Sequence, residues 1–285
     1  MKRILALLAF PLLCSLALVL DGYARSHMRA DSVIVVPPAR ERPDPLPEFP
    51  AMVFVPAGEF LMGTETRDLN RMGEVDEWPQ RRVFVDDFYI DVHEVTNAQY
   101  KVFLDSTKVE APPRWHDGNY GIGEDGLPVI SVTFHDARAY ARFVGKRLPT
   151  EEEWEKAARG VDGRIFPWGD SFDPSHANNG ETLTPIMSFP GGVSPYGCYD
   201  MSGNAAEWVD SRYEAYPRSE EDVLPENIPD RNEVFRSDRR VYRGGHWNSF
   251  GKFLRCANRE GTGMNRRWVY VGFRCAKDPP WVDAR

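Results

Sequence analysis

Two stretches of the 285-residue chain set side chains capable of chemistry close together. In Asp200-Met201-Ser202-Gly203-Asn204-Ala205-Ala206-Glu207, two carboxylates stand seven residues apart around a glycine-containing turn. Such a loop can offer two carboxylates and two backbone carbonyls to a hard, oxygen-seeking cation such as calcium, although its spacing is not that of an EF-hand. The other stretch is Gly244-Gly245-His246-Trp247-Asn248-Ser249. A neutral imidazole there can act as a general base or a metal ligand, or do no more than hydrogen-bond neighbouring backbone. His93, His116, His135 and His176 are scattered without ligand spacing and read as structural or surface residues. Trp115, Tyr120, Trp247, Trp268 and Tyr270 accompany Arg255, Arg259, Arg266 and Arg267 in the loop-forming parts of the chain. Aromatic and guanidinium side chains together suit a peptide or a planar aromatic ligand.

The elements that must position these residues follow from composition and pattern. Lys+Arg 35 against Asp+Glu 43 gives a net charge of −8, and no run of basic residues offsets it, which excludes an electrostatically driven nucleic-acid binder. A hydrophobic content of 42% is ample for a packed core, and 23 glycines with 23 prolines predict a domain rich in turns. Lys2 and Arg3 precede an apolar run over residues 4–20, and Gly22-Tyr23-Ala24 supplies small residues for a signal peptidase. Residues 1–24 therefore read as a secretory signal, with an uncleaved N-terminal membrane anchor through residues 4–20 as the alternative. Cys14 follows Leu13, which is too large for lipoprotein cleavage. Residues 25–50, with Pro37, Pro38, Pro43, Pro45, Pro47 and Pro50, read as a tether, and residues 51–285 as one folded domain.

Within that domain Met52 to Val55 and Glu59 to Met62 are expected to be short strands around a tight turn, and Arg82 to Ile90 a third strand. A helix starts at Thr96-Asn97 with Tyr100, Phe103 and Leu104 inward, and another covers Asp136 to Val144 with Ala137, Tyr140, Ala141 and Val144 inward. A third runs from Thr150 to Arg159, where Thr150 and Glu153 have the spacing of a capping box. After Gly160 helical periodicity fades into loops, a length that is usual only when loops are functional or stapled by ions.

The blocks Val55-Pro56-Ala57-Gly58, Glu94-Val95-Thr96-Asn97, Leu148-Pro149-Thr150-Glu151-Glu152-Glu153-Trp154, Pro167-Trp168-Gly169, Gly203-Asn204-Ala205-Ala206-Glu207-Trp208, Arg243-Gly244-Gly245 and Gly272-Phe273-Arg274-Cys275 occur in that order. Together they resemble the formylglycine-generating enzyme, or sulfatase-modifying factor, domain family. The resemblance implies an α+β, loop-rich, C-type-lectin-like fold in a single domain.

The namesake enzymes oxidise a substrate cysteine at a copper ion held by two cysteines shortly after the Gly-Gly pair. Here Ser249 matches the first ligand position, and the second falls in a shortened segment, Phe250 to Lys252, without cysteine. A serine hydroxyl does not replace a thiolate toward Cu(I), so copper and formylglycine generation are not expected. Cys256 and Cys275 match positions that pair with helix cysteines in the family, and those partner positions are Ala141 and Ala158 here. A Cys256 to Cys275 disulfide is one outcome, and three buried free thiols with Cys198 is the other.

The resemblance also carries a calcium site onto the Asp200 side chain, the Gly203 and Ala205 carbonyls and the Glu207 side chain. Asn178 and Asn179 match the start of a second calcium site whose remainder is missing before Pro185. His246, with Ser249 beside it, is the candidate catalytic group, and Trp247, Asn248, Arg255 and Arg259 are expected to border the substrate groove. Activity is expected on a peptide or siderophore-like small molecule in the periplasm, such as oxidation of the dihydro chromophore of a pyoverdine siderophore, with no redox cofactor assigned. The alternative is a non-catalytic binding module of a periplasmic enzyme complex, such as an accessory protein of a nitrite reductase.

Overall fold

Pro56-Ala57 and Asp86-Asp87 are the points at which the chain changes sheets, and they organise the first third of the domain. In the computed structural model, which describes residues 52–68, 73–107, 109–226, 235 and 238–280, strands β1 (Met52–Val55) and β2 (Gly58–Met62) form as expected but do not pair with each other. The expected strand over 82–90 is two strands, β3 (Arg81–Val85) and β4 (Phe88–Asp91). β1 pairs antiparallel with β4, and β2 with β3. The two crossings are tied together, because the Ala57 amide donates to Asp87 Oδ1 at 2.6 Å. The signal and the tether expected over 1–50 lie outside the described residues.

Three helices follow. α1 (Asn97–Thr107) is capped by Thr96, whose hydroxyl accepts from the Gln99 amide at 3.3 Å, and it buries Tyr100, Phe103 and Leu104. α2 (Phe134–Phe143) begins earlier than expected because Thr133 and Asp136 form a reciprocal capping box. Val144, expected inward, is the C-cap and is 36% exposed; only Ala137, Tyr140 and Ala141 of the expected set face the core. In α3 (Glu151–Arg159) the Thr150 to Glu153 box is formed, with Thr150 accepting from the Glu153 amide at 3.2 Å. The late strands β5 (Ala206–Arg212), β6 (Arg239–Arg243), β7 (Arg259–Gly263) and β8 (Val271–Gly272) make a four-stranded sheet in the order β7-β6-β5-β8, and β9 (Ala276–Lys277) returns to β4. Few helices, small sheets and long loops make this the expected α+β, C-type-lectin-like architecture.

α3 buries charge as well as apolar surface. Glu155 accepts from the Gly63 amide at 2.7 Å, from Arg159 at 2.7 Å and from Arg243 on β6. Burial raises the Glu155 pKa, but Arg243, Arg159 and the Gly63 amide outweigh it, and the carboxyl titrates below its usual range. Glu151 holds Arg259 through two bonds of 2.7 and 2.9 Å, and Lys156 donates to the Pro56 and Gly58 carbonyls at 2.6 and 3.0 Å.

The three cysteines of the described residues are buried and free. Cys256 packs in the core cluster that contains Ala158, and Cys275 in the cluster that contains Ala141. Each thiol still shares a cluster with the helix position that lacks its partner, so the Cys256 to Cys275 disulfide is not formed.

At the edge of the ionic lattice, Asp76 accepts from the Tyr213 hydroxyl at 2.5 Å, while burial and the neighbouring Glu77 charge raise its pKa from 3.8 to about 6. A folded-state pKa above the unfolded value gives a stabilising contribution that is complete below 3.8 and lost as pH rises through about 6. Asp76→Asn removes this dependence. Thermal unfolding followed across that window is expected to show the variant gaining on the wild type as pH rises, and parallel profiles would contradict the assignment.

Candidate functional site: an aromatic ledge beside a buried acidic loop

β6 ends at Arg243, and Gly244 and Gly245 turn the chain with φ of 91° and 65°. A Cβ at Gly245 would lie 2.6 Å from the Phe253 carbonyl oxygen, so only glycine makes this turn without displacing backbone. The turn delivers His246, Trp247, Asn248 and Ser249 together. Ser249 is buried, and its hydroxyl accepts the His246 amide at 3.0 Å while its own amide donates to the His246 carbonyl at 2.9 Å. It closes the loop rather than presenting a nucleophile.

The His246 ring lies 4.2 Å from the Tyr270 ring, centroid to centroid, at 21°. Trp268 stacks with Tyr270 at 5.6 Å and 16°. Burial lowers the His246 pKa, so the imidazole is neutral at pH 7. Its Nδ1 accepts the Asn248 amide at 3.2 Å, which puts the ring proton on Nε2. In this arrangement His246 offers a hydrogen-bond donor, and the lone pair expected of a base is already engaged. Behind the ledge, Tyr270 hydrogen-bonds Tyr242, which donates to Glu260 Oε2 at 2.5 Å. Tyr242 and Glu260 were not expected at the site. They face each other across β6 and β7, a register that local sequence does not reveal.

Arg255 and Arg259, expected to border the groove, are instead buried and paired. Arg255 makes two bonds to Glu77, at 2.5 and 2.7 Å, and donates to the Lys252 carbonyl. Arg259 adds the Asp76 and Glu214 carbonyls, at 3.0 and 2.8 Å, to its two bonds with Glu151. Their fork-shaped donor sets are consumed inside the protein, and Trp268 and Tyr270 take the surface role. Trp115 and Tyr120 lie 5.2 Å apart, and Trp115 packs on Tyr100.

The ledge is tied to the acidic loop, because the Trp247 amide donates to the Asn204 carbonyl at 2.9 Å. Asp200, Gly203 and Asn204 have φ of 58°, 87° and 57°, winding the loop tightly in front of β5. Asp200 Oδ2 accepts the Met187 amide at 2.8 Å. Glu207 is fully buried, with both oxygens on Arg274 at 2.7 and 2.8 Å and a further bond from Trp154 Nε1 at 2.8 Å. Of the residues expected to bind calcium, Asp200, Gly203 and Ala205 lie in this loop, and both Glu207 oxygens are held by the Arg274 guanidinium. Glu94, unremarked in the sequence except as the approach to α1, reaches the same loop and accepts the Ala205 amide at 3.2 Å through Oε1. Among the described residues no group of three or more His, Cys, Asp or Glu side chains is arranged to hold a metal ion. Asn178 spends its side-chain amide on Thr182, Thr184 and Asn204, bracing the acidic loop from behind; Asn179 beside it is half-buried. A second calcium site on this pair is not supported.

Residues 38–279 match the sulfatase-modifying factor enzyme 1-like domain. The chain belongs to this family. Among its family relatives, it is 37% identical over 257 residues to the serine/threonine-protein kinase pkn1 of Chlamydia caviae, covering 84% of this chain and 40% of that protein. The match therefore spans about two fifths of the chlamydial protein. The formylglycine-generating enzyme of Bos taurus is 31% identical over 289 residues, covering 80% of this chain and 74% of that protein. The structure of PvdO from Pseudomonas aeruginosa superposes with a TM-score of 0.63 at 26% identity, covering 80% of this chain and 94% of that one.

Within this family fold the thiols are not positioned for chemistry. Burial raises Cys198 to about 11, Cys256 to about 12 and Cys275 well above its ordinary value, so all three are protonated at neutral pH. Alkylation read by peptide mapping is expected to leave Cys198, Cys256 and Cys275 unmodified in the native protein and to modify all three in denaturant without reductant. Rapid modification of any of them in the native state would contradict this placement.

Proposed function

We propose that this family member binds the planar aromatic part of a peptide-like or siderophore-like small molecule on the ledge made by His246, Tyr270 and Trp268, without thiolate chemistry. The observation that carries the reading is the near-parallel stacking of His246 and Trp268 with Tyr270, which presents flat aromatic surface beside a hydrogen-bond donor at His246 Nε2. Asn248, exposed on the same turn, adds an amide at the rim. The site is read as acting in the periplasm, on the strength of Lys2, Arg3 and the apolar run over 4–20.

A second reading keeps the ledge and adds turnover: oxidation of the dihydro chromophore in pyoverdine maturation, with dioxygen as the electron acceptor. The likeness to PvdO, which extends over 94% of that chain, favours it.

Titration of a peptide bearing a planar dihydroxyquinoline group, followed by tryptophan fluorescence, separates the outcomes. The binding reading expects saturable quenching that weakens at least tenfold in Tyr270→Ala, in line with the roughly 1–3 kcal/mol carried by aromatic stacking of a flat ring. Affinity unchanged by that substitution would remove the ledge as the site. Conversion of the dihydro precursor under oxygen, lost in His246→Ala, would establish the second reading in place of simple binding.

A further inference from the structure

Tyr242 and Glu260 are directly opposite each other across β6 and β7, so their side chains stand on one face of the sheet. Tyr242 is buried, and its ring packs edge-on to Trp208 at 6.0 Å and 78°, which holds the phenol in place. Its hydroxyl has one proton to give, and that proton goes to Glu260 Oε2 at 2.5 Å. The hydrogen bond between the two tyrosines then has one direction open to it: Tyr270 donates and Tyr242 accepts.

Burial raises the pKa of both tyrosines, so each keeps its proton at neutral pH. Burial also raises the pKa of Glu260, and the Tyr242 hydroxyl opposes that shift by donating to the carboxylate. The chain from Tyr270 through Tyr242 to Glu260 thus holds two protons, both pointed toward the carboxylate, and each bond polarises the next.

The ledge feels this direction. Tyr270 is half-buried and spends its donor inward, so toward a ligand it offers lone pairs alone. His246 is the opposite case, because its Nδ1 is engaged by the Asn248 amide and its Nε2 carries a proton to give. A ring hydroxyl can donate to Tyr270 and also accept from a donor. A methyl ether can only accept, and it would leave the Tyr270 oxygen without a donor.

Resting on the reading of the ledge as a ligand surface, we infer that it selects an aromatic ring bearing a free hydroxyl over the same ring with that hydroxyl methylated, and that Tyr242 and Glu260 are the positioning residues that impose the choice. Neither needs to touch the ligand, because they act by turning the Tyr270 proton inward. Tyr242 and Glu260 lie outside the sequence blocks that carry the family resemblance, so this selectivity is a property of the chain's own residues.

The test titrates 6-hydroxyquinoline and 6-methoxyquinoline into the full chain by calorimetry at neutral pH. Wild-type protein is expected to bind the hydroxy compound about tenfold more tightly, the difference that goes with one unmade hydrogen bond. Tyr242→Phe removes the inward acceptor and frees the Tyr270 proton to point outward. It is expected to narrow the preference to about threefold or less, with the methoxy compound bound at least as tightly as by the wild type. Glu260→Ala is expected to narrow it in the same direction and serves if Tyr242→Phe is insoluble. A preference that survives both substitutions, or equal weakening of the two compounds, would overturn the inference and leave the ledge reading standing. So would equal wild-type affinities that Tyr270→Ala abolishes together. Binding of neither quinoline, or binding indifferent to Tyr270→Ala, would overturn the inference and the ledge reading alike.

Discussion

The fold depends on the pairing of buried charge around α3. A short helix that sinks Glu151, Glu155, Lys156 and Arg159 into the interior is unstable by itself, since each ionised group loses its hydration. It is tolerated because β6, β7 and the β2 edge bring complementary groups to the same place: Arg243 and Arg259 for the two glutamates, and the Pro56 and Gly58 carbonyls for Lys156. Two lysine and arginine donors on one helix thereby fix the β1 to β2 corner and the loops at Gly63 and Gly163. In a domain with little regular structure and no disulfide among its described residues, these directional bonds define where the late loops lie.

The candidate site inherits that order. Arg243 is the last residue of β6, and the Gly244-Gly245 turn that projects His246 begins immediately after it. A Cβ at Gly244 would stand 3.1 Å from the Trp154 ring on α3, and the same Trp154 donates to Glu207 at the acidic loop. Ledge and loop are consequently two faces of one assembly, joined again by the Trp247 to Asn204 backbone bond. The resemblance implies two cysteines shortly after this Gly-Gly pair in the namesake enzymes; here the segment carries an imidazole and a serine whose hydroxyl is used to close the turn. Conserving the scaffold while changing the groups at its mouth is the expected way for one fold to serve different functions.

What the sequence revealed, and what it hid, divides by distance along the chain. The Thr150 to Glu153 box and the apolar face of α1 are local, and local pattern is enough to read them. Arg255 and Arg259 looked like groove residues because guanidinium among aromatics suits a ligand, yet their partners Glu77 and Glu151 lie 178 and 108 residues away. The split of 82–90 into two strands follows from partners in separate sheets, and alternation continued through Asp86-Asp87 without showing it. Glu94 was visible only as the approach to a helix; its role comes from meeting a loop 111 residues on, at Ala205. The family resemblance identified the scaffold, and the side-chain contacts within it required the geometry.

The measurement that bears most directly on the buried-charge account is the unfolding free energy of Glu155→Gln by urea titration at neutral pH. Removing this carboxylate leaves Arg243 and Arg159 charged in the interior with too few acceptors, and the account predicts a loss of about 3–5 kcal/mol with the denaturant slope unchanged. A loss below about 1 kcal/mol, the size expected of an exposed ion pair, would show that the lattice around α3 does not hold the domain together.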